Sequence, residues 1–242
     1  LKKTQKKSTK IFHLHVENLS ACNYTKIVIK ISEKVRGIKM NYVISENENI
    51  KKITFFVPDE PTKRVLKEKI AEVFTGISEE KVSSIYLCLK ELINYLTAIN
   101  LMKMTTNTSV FDNKLSLLLN ESYLNYSRER FRASGKSISV VMRNVKDGIV
   151  IEIYNSEPIP EDHEKEIRKT LRDLSLGNQF ALSLSDQNYN FLASIVMTWL
   201  MLKDIGIEPS LFRIGNRDKK TFIRIEVPLN ENYLPMRIMT SV

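Results

Sequence analysis

Residues able to do chemistry are few and dispersed in this chain. The seven glycines, Gly37, Gly76, Gly135, Gly148, Gly177, Gly206 and Gly215, are scattered, with no two within four residues of each other. A dinucleotide or triphosphate cradle needs clustered glycines so that backbone N–H groups can approach phosphate. The spacing therefore argues against Rossmann-type and Walker-type chemistry. His13, His15 and His163 lack the cysteine or carboxylate spacing that holds a metal, and no Ser/His/Asp arrangement can be read. Cys22 and Cys88 are too few for a disulfide scaffold or a four-cysteine zinc site. Charge is the broader signal: 37 basic against 28 acidic residues, a formal net charge of +9. Lys2, Lys3, Lys6, Lys7 and Lys10 crowd the first ten positions, and Arg128, Arg130, Arg132 and Lys136 form a second run. A solvated basic tail is the plain interpretation. Attraction to nucleic acid, anionic lipid or an acidic partner is the sharper one. On a helix, 128 and 132 share a face.

The elements that must position these residues follow from periodicity. Residues 1–10 read as a basic tail. Four β-branched and aromatic segments, Ile11 to Val16, Lys26 to Ile31, Ile38 to Ile44 and Ile53 to Val57, predict a small β-rich unit over 11–60. Pro58 and Pro61 end it and open a helix with Val65, Leu66, Ile70, Val73 and Phe74 on its apolar face. Gly76 breaks that helix. Ser78 then caps a longer one, in which Val82, Ile85, Tyr86, Leu89, Leu92, Ile93, Leu96 and Ile99 recur at helical spacing. A third helix is expected from about 113 to 133. A hairpin follows, with its turn at Asp147-Gly148, then a charged helix over 161–174, an irregular stretch over 175–190 and a helix over 191–204. A last hairpin runs from Leu211 to Val227 with its turn at 216–218. The main domain spans 61–230, and 231–242 is a C-terminal tail. Helices and strands come in blocks, which predicts an α+β two-layer sandwich: a mixed, mostly antiparallel sheet with helices on one face. No apolar run approaches the roughly 18 residues of a membrane span, and no apolar core follows the N-terminal lysines as in a signal peptide. A cytoplasmic location is the expectation.

Three local patterns give the layout a resemblance. Ile85-Tyr-Leu-Cys-Leu-Lys-Glu-Leu-Ile-Asn-Tyr95 carries Glu91 and Leu92, with Asn94 and Tyr95 close behind. Val150-Ile-Glu-Ile-Tyr-Asn-Ser-Glu-Pro-Ile-Pro160 ends a strand on Asn155 and Ser156. Asn188-Tyr-Asn-Phe-Leu-Ala-Ser-Ile-Val196, with Asn190, precedes a helix and the hairpin that contains Thr221. Over roughly 76–229 the chain resembles the GHKL ATPase family of histidine kinases, anti-sigma kinases, gyrase-type topoisomerases and heat-shock chaperone ATPases. The resemblance implies the histidine-kinase-like ATPase fold. It implies that Glu91 is the water-orienting catalytic residue and that the Mg²⁺-holding Asn position falls on Tyr95, with Asn94 one residue early, about 100° round the helix. Glu121 and Asn125 have the family's i, i+4 spacing and form the alternative pair. Asn155 takes the position of the Asp that reads the adenine amino group, Ser156 follows it, and Thr221 matches a Thr that supports the adenine site. Asn190 lies in the stretch where the family has Gly-Leu-Gly-Leu.

The departures decide the expected function. An amide at 155 can still accept a hydrogen bond but carries no charge. Glu157 stands near an expected glycine, where a carboxylate would crowd a base and repel a triphosphate. No glycine remains in the phosphate loop. Each lost charge-assisted hydrogen bond is worth about 1.5–3 kcal/mol, so two such losses weaken binding about a hundredfold or more. The expectation is a regulatory protein-binding module of the anti-sigma or adaptor type, not an enzyme, with a protein partner and no certain cofactor. ATP with Mg²⁺ is the cofactor if the pocket still functions, as in the alternative of a divergent but active kinase or ATPase. A second alternative is a nucleic-acid-binding protein using the basic tail.

Overall fold

The computed structural model describes residues 28–30, 42–104, 121–177 and 189–236. Chain order from the first long strand is β2 (Tyr42–Glu46), β3 (Ile50–Phe55), α1 (Glu60–Val73), α2 (Glu79–Met104), α3 (Glu121–Ala133), β4 (Ile138–Val145), β5 (Gly148–Asn155), α4 (Glu161–Ser175), α5 (Tyr189–Asp204), a short 3-10 turn (Pro209–Leu211), β6 (Phe212–Arg217) and β7 (Lys220–Pro228). A three-residue strand, β1 (Val28–Lys30), precedes them and adds to the edge at β2. The six longer strands form one open sheet in the order β2-β3-β4-β5-β7-β6, and every pairing is antiparallel. The expectation of an α+β layout holds. The mixed character expected of the sheet does not appear among the described strands, because each neighbour is reached by a hairpin or by a connection that returns antiparallel.

The small β-rich unit expected over 11–60 lies partly outside the described residues. Its described strands extend the main sheet: β3 pairs with β4 from Ile50↔Arg143 to Phe55↔Ile138, and Thr54 and Ser139 share a hydroxyl hydrogen bond of 2.8 Å. The expected strand over 11–16, the start of the third helix before 121 and most of the irregular stretch over 175–190 lie outside the described residues.

Strand period 2 separates the two faces. On one, Ile44, Ile53, Val140, Ile153, Ile223 and Ile214 stand in register across six strands. The helices cover this face. Asp59 caps α1, its carboxylate accepting from the Thr62 N–H at 2.8 Å and the Thr62 hydroxyl at 2.5 Å. Gly76, at φ +86°, ends that turn where a left-handed conformation favours glycine. The central helix α2 buries Ile85, Leu89, Leu92, Leu96 and Ile99, and it packs against both α1 and α5. The Cys88 thiol reaches the Thr198 carbonyl of α5 at 3.8 Å.

Two turns sit one or two residues away from where sequence places them. Val145 pairs with Gly148, so the first hairpin turns on Lys146-Asp147, with Asp147 at φ +62°. Gly148 is needed for another reason: a Cβ there would lie 2.3 Å from the Tyr233 ring. In the last hairpin, Asn216 and Arg217 remain in strand, and Asp218-Lys219 take the left-handed turn conformation.

Candidate functional site

Two of the residues expected from sequence, Asn155 and Thr221, lie at one end of the helix-covered face. There the cross-strand row reads Tyr42, Phe55, Ile138, Asn155, Thr221 and Asn216. Sequence order puts Asn155 and Thr221 sixty-odd residues apart, and the β5–β7 register makes them direct partners. Both are buried, at 1% and 0% exposure.

Their donors are already used. The Asn155 Nδ2 donates to the Glu157 carbonyl at 3.0 Å, and the Thr221 hydroxyl donates to the same oxygen at 2.7 Å. The Thr221 N–H adds a third bond at 3.2 Å. The Asn155 Oδ1 is buried with no hydrogen-bond partner among the described residues. Ser156 extends the hairpin, its hydroxyl accepting from the Ser137 N–H at 3.0 Å. The Glu157 side chain pairs with Lys136, so the carboxylate expected to crowd a base turns to a neighbouring cation.

Asn216, read from sequence only as a turn residue, is the polar side chain that sequence reasoning missed. Its Oδ1 accepts from the Ile159 N–H at 2.8 Å, and its Nδ2 donates to the Ile159 carbonyl at 2.9 Å and to Glu164 at 2.7 Å. The amide thus imitates a strand partner for the 156–160 loop. Glu164 also accepts from the Asn216 backbone N–H at 3.1 Å, which blunts the outer edge of β6. Burial raises the Glu164 carboxyl, but the Asn216 N–H, Arg168 and the Asn216 amide outweigh it and hold the group below the usual carboxylate range. Only the long-range register reveals this role.

The helix partners divide. Tyr95, at the position the resemblance gives to a metal-holding Asn, is buried in the core at 3% exposure. Burial pushes its phenol far above the usual range, and the Glu164 carboxylate adds to the shift. Asn94, one residue earlier, turns toward α1. It lines a shallow cleft with Phe55, Pro58, Lys63 and Lys90. Glu91 is half-buried on α2, one turn before Tyr95. The alternative pair does not converge on this row: Asn125 is exposed on α3 and accepts from Arg128 of its own helix. Glu121 opens α3 and Asn190 lies in the first turn of α5, while the side chains of both lie outside the described residues.

The second basic run is engaged within the chain. Arg128 is buried at 4% exposure and bonded to Asn125. Arg130 stacks over Tyr126 at 5.5 Å and Arg132 over Phe56 at 5.4 Å. With Lys136 on Glu157, each of the four has a contact within the chain, and Arg130 remains exposed. His13, His15, Cys22 and the lysines of the first ten positions lie outside the described residues. Cys88 is buried, and burial pushes its thiol up to about 12. His163 is half-buried, and burial pulls its imidazole below the usual value against Asp162 and Glu166. Among the described residues no cluster of His, Cys, Asp or Glu could hold a metal ion, and no helix is long and apolar enough to cross a membrane.

Set against Mg-ATP, the arrangement fits at one atom only, the unpartnered Asn155 Oδ1. The donors, Asn155 Nδ2 and the Thr221 hydroxyl, point inward to the chain's own backbone, and a phenol stands where a metal-holding amide is expected. No family model, curated protein or solved structure matches the chain.

Proposed function

We propose that this chain is a regulatory protein-binding module of the anti-sigma or adaptor type, built on a framework like that of the GHKL ATPases and no longer handling nucleotide. The observation that carries this is the convergence of Asn155 Nδ2 and the Thr221 hydroxyl on the Glu157 carbonyl, 3.0 and 2.7 Å away inside the core. Donors bound to the backbone are not offered to a base. The helix layer supplies a surface for a partner: Met197 and Leu200 of α5 are 46% and 43% exposed, and Leu87 of the adjoining α2 is 45% exposed. Large apolar side chains facing outward along packed helices favour protein contact.

Isothermal titration with Mg-ATP tests the loss of nucleotide handling. The expected result is no saturable heat and no hydrolysis. Micromolar binding accompanied by hydrolysis or phosphotransfer would overturn it. Co-purification from the native cell, with and without nucleotide, should yield a partner whose recovery is indifferent to nucleotide and lost in Leu200→Glu.

A second function, a divergent nucleotide-dependent ATPase or kinase with Glu91 as base, is favoured by one atom. An adenine amino group would satisfy the buried Asn155 Oδ1. Asn155→Ala would then abolish binding, and an unchanged affinity removes this alternative.

A further inference from the structure

The sheet has a second face, which none of the above uses. Its period-2 residues form two adjoining rows. One runs Val43, Thr54, Ser139, Tyr154, Phe222 and Gly215, and the next runs Ser45, Lys52, Val141, Glu152, Arg224 and Arg213. Among the described residues, the C-terminal segment covers one end. The Tyr233 hydroxyl donates to Glu226 at 2.7 Å and the Met236 N–H to the same carboxylate at 2.9 Å. Beyond that latch, Tyr154 and Phe222 lie side by side on neighbouring strands, with ring centroids 5.4 Å apart, and Tyr154 is 36% exposed.

Cations surround this aromatic pair in excess. Glu152 is matched by Arg143 at 2.5 Å and by the Tyr154 hydroxyl at 2.9 Å, and Glu226 by Arg224 at 3.0 Å. Arg213 stands directly opposite Arg224, and its Nε is buried without a hydrogen-bond partner among the described residues. Like charges in register across strands repel, and a buried N–H without an acceptor costs roughly 1–3 kcal/mol. Glu226 already answers Arg224, so an incoming anion would chiefly supply the acceptor that Arg213 lacks. Lys52 is exposed in the same row.

We propose that this open face binds single-stranded nucleic acid, with bases stacking on Tyr154 and Phe222 and phosphates meeting Arg213, Arg224 and Lys52. Aromatic side chains on a sheet surface, fringed by cations, take any base because every base has a π face. A carboxylate-rich peptide would use the cations and leave the exposed rings unmatched. The surface is separate from both the 128–136 run and the Asn155 row, so its fate is independent of the nucleotide question.

The test is fluorescence anisotropy of labelled dT20 and rU20 against the full chain at 50 and 200 mM salt. Binding should show a log–log salt slope near −2, as about three phosphate contacts give on a single strand. Tyr154→Leu and Phe222→Leu, which keep an apolar strand residue, should each weaken binding about tenfold, within the range of one lost base stack. Arg213→Gln should flatten the slope by about 0.7. Circular dichroism melts confirm that each variant is folded, and Arg213→Gln decides the matter where a ring variant is not. Absence of binding at 50 mM salt overturns the proposal. So does binding indifferent to all three substitutions, which would assign it to the N-terminal lysines. Tighter binding of poly-glutamate than of dT20, unaffected by the ring variants, overturns it in favour of an acidic protein surface. A preference between dT20 and rU20 identifies the class of strand.

Discussion

Asn155→Asp restores the acid that the resemblance expects, and the structure says what it should do. The Nδ2 that donates 3.0 Å to the Glu157 carbonyl becomes an oxygen facing an oxygen, at a site 1% exposed. An ionised carboxylate loses that bond and gains an unfavourable contact in a dry place, so the new carboxyl should hold its proton and donate it to the carbonyl. An unfolded Asp titrates near 3.9. A rise of about two units in the folded state removes about 2.7 kcal/mol at neutral pH. The sign follows from proton uptake. The folded variant binds the proton more tightly than the unfolded chain, so its stability is greatest below about pH 3.9 and is lost as pH rises through the folded value near 6. Relative to the parent at the same pH, the penalty should be about 3 kcal/mol at pH 7 and about 1 kcal/mol at pH 4.5. For a chain of this size that is a melting decrease of about 6–12 °C at pH 7. Paired urea melts at the two pH values measure it. An equal penalty at both would refute the buried-donor account, and a variant that gained Mg-ATP affinity would refute the structural role assigned to Asn155.

Three further outcomes follow from buried or crowded groups. Asn100 is fully buried on α2 with neither Oδ1 nor Nδ2 partnered among the described residues, so Asn100→Leu should stabilise the fold by about 1–3 kcal/mol in urea; a loss would mean that something meets that amide. Burial lowers the His163 pKa, so the unfolded chain takes up the proton first as pH falls below about 6.5. Stability from this group is present above that pH and drains below it, and His163→Gln should flatten the stability–pH curve between about 6.5 and 5. Gly148→Ala places a Cβ 2.3 Å from the Tyr233 ring, so it should displace the ring from Glu226, speed C-terminal proteolysis and cost about 1–3 kcal/mol; unchanged protection would show that the segment is not held there.

What was legible in the sequence was whatever leaves a local period. Ile85, Leu89, Leu92, Leu96 and Ile99 recur at helical spacing and are all buried, and the alternation in Ile138 to Met142 gives strand and inward face together. Pairings between distant segments leave no such trace. Thr54 meets Ser139 across 85 positions, so β2 and β3 read as a separate unit. The site divides in the same way. Asn155 and Thr221 could be placed together through the resemblance, but nothing in either neighbourhood says that both would spend their donors on Glu157. Asn216 reads as a turn residue because its partners, Ile159 and Glu164, lie more than fifty positions away. The Arg128–Lys136 run looked like one surface because spacing gives the angle round a helix and not whether a side chain is used by its neighbours.

The separation of framework from site has a physical cause. A row such as Ile53, Val140, Ile153 and Ile223, each at 0% exposure, stabilises the fold whether or not any ligand is present. A ligand-facing donor does the opposite in the empty state: it is held from water without a partner. Turning the Asn155 amide and the Thr221 hydroxyl onto a backbone carbonyl gains about 0.5–1.5 kcal/mol each. Each of these contacts is therefore downhill for the isolated fold. The other face of the same sheet shows the contrary balance. Arg213 and Arg224 stand opposed in register, with a buried Nε left unpartnered on Arg213 among the described residues. Glu226 answers Arg224 at 3.0 Å, and under the proposal above an incoming anion would supply the acceptor that the Arg213 Nε lacks.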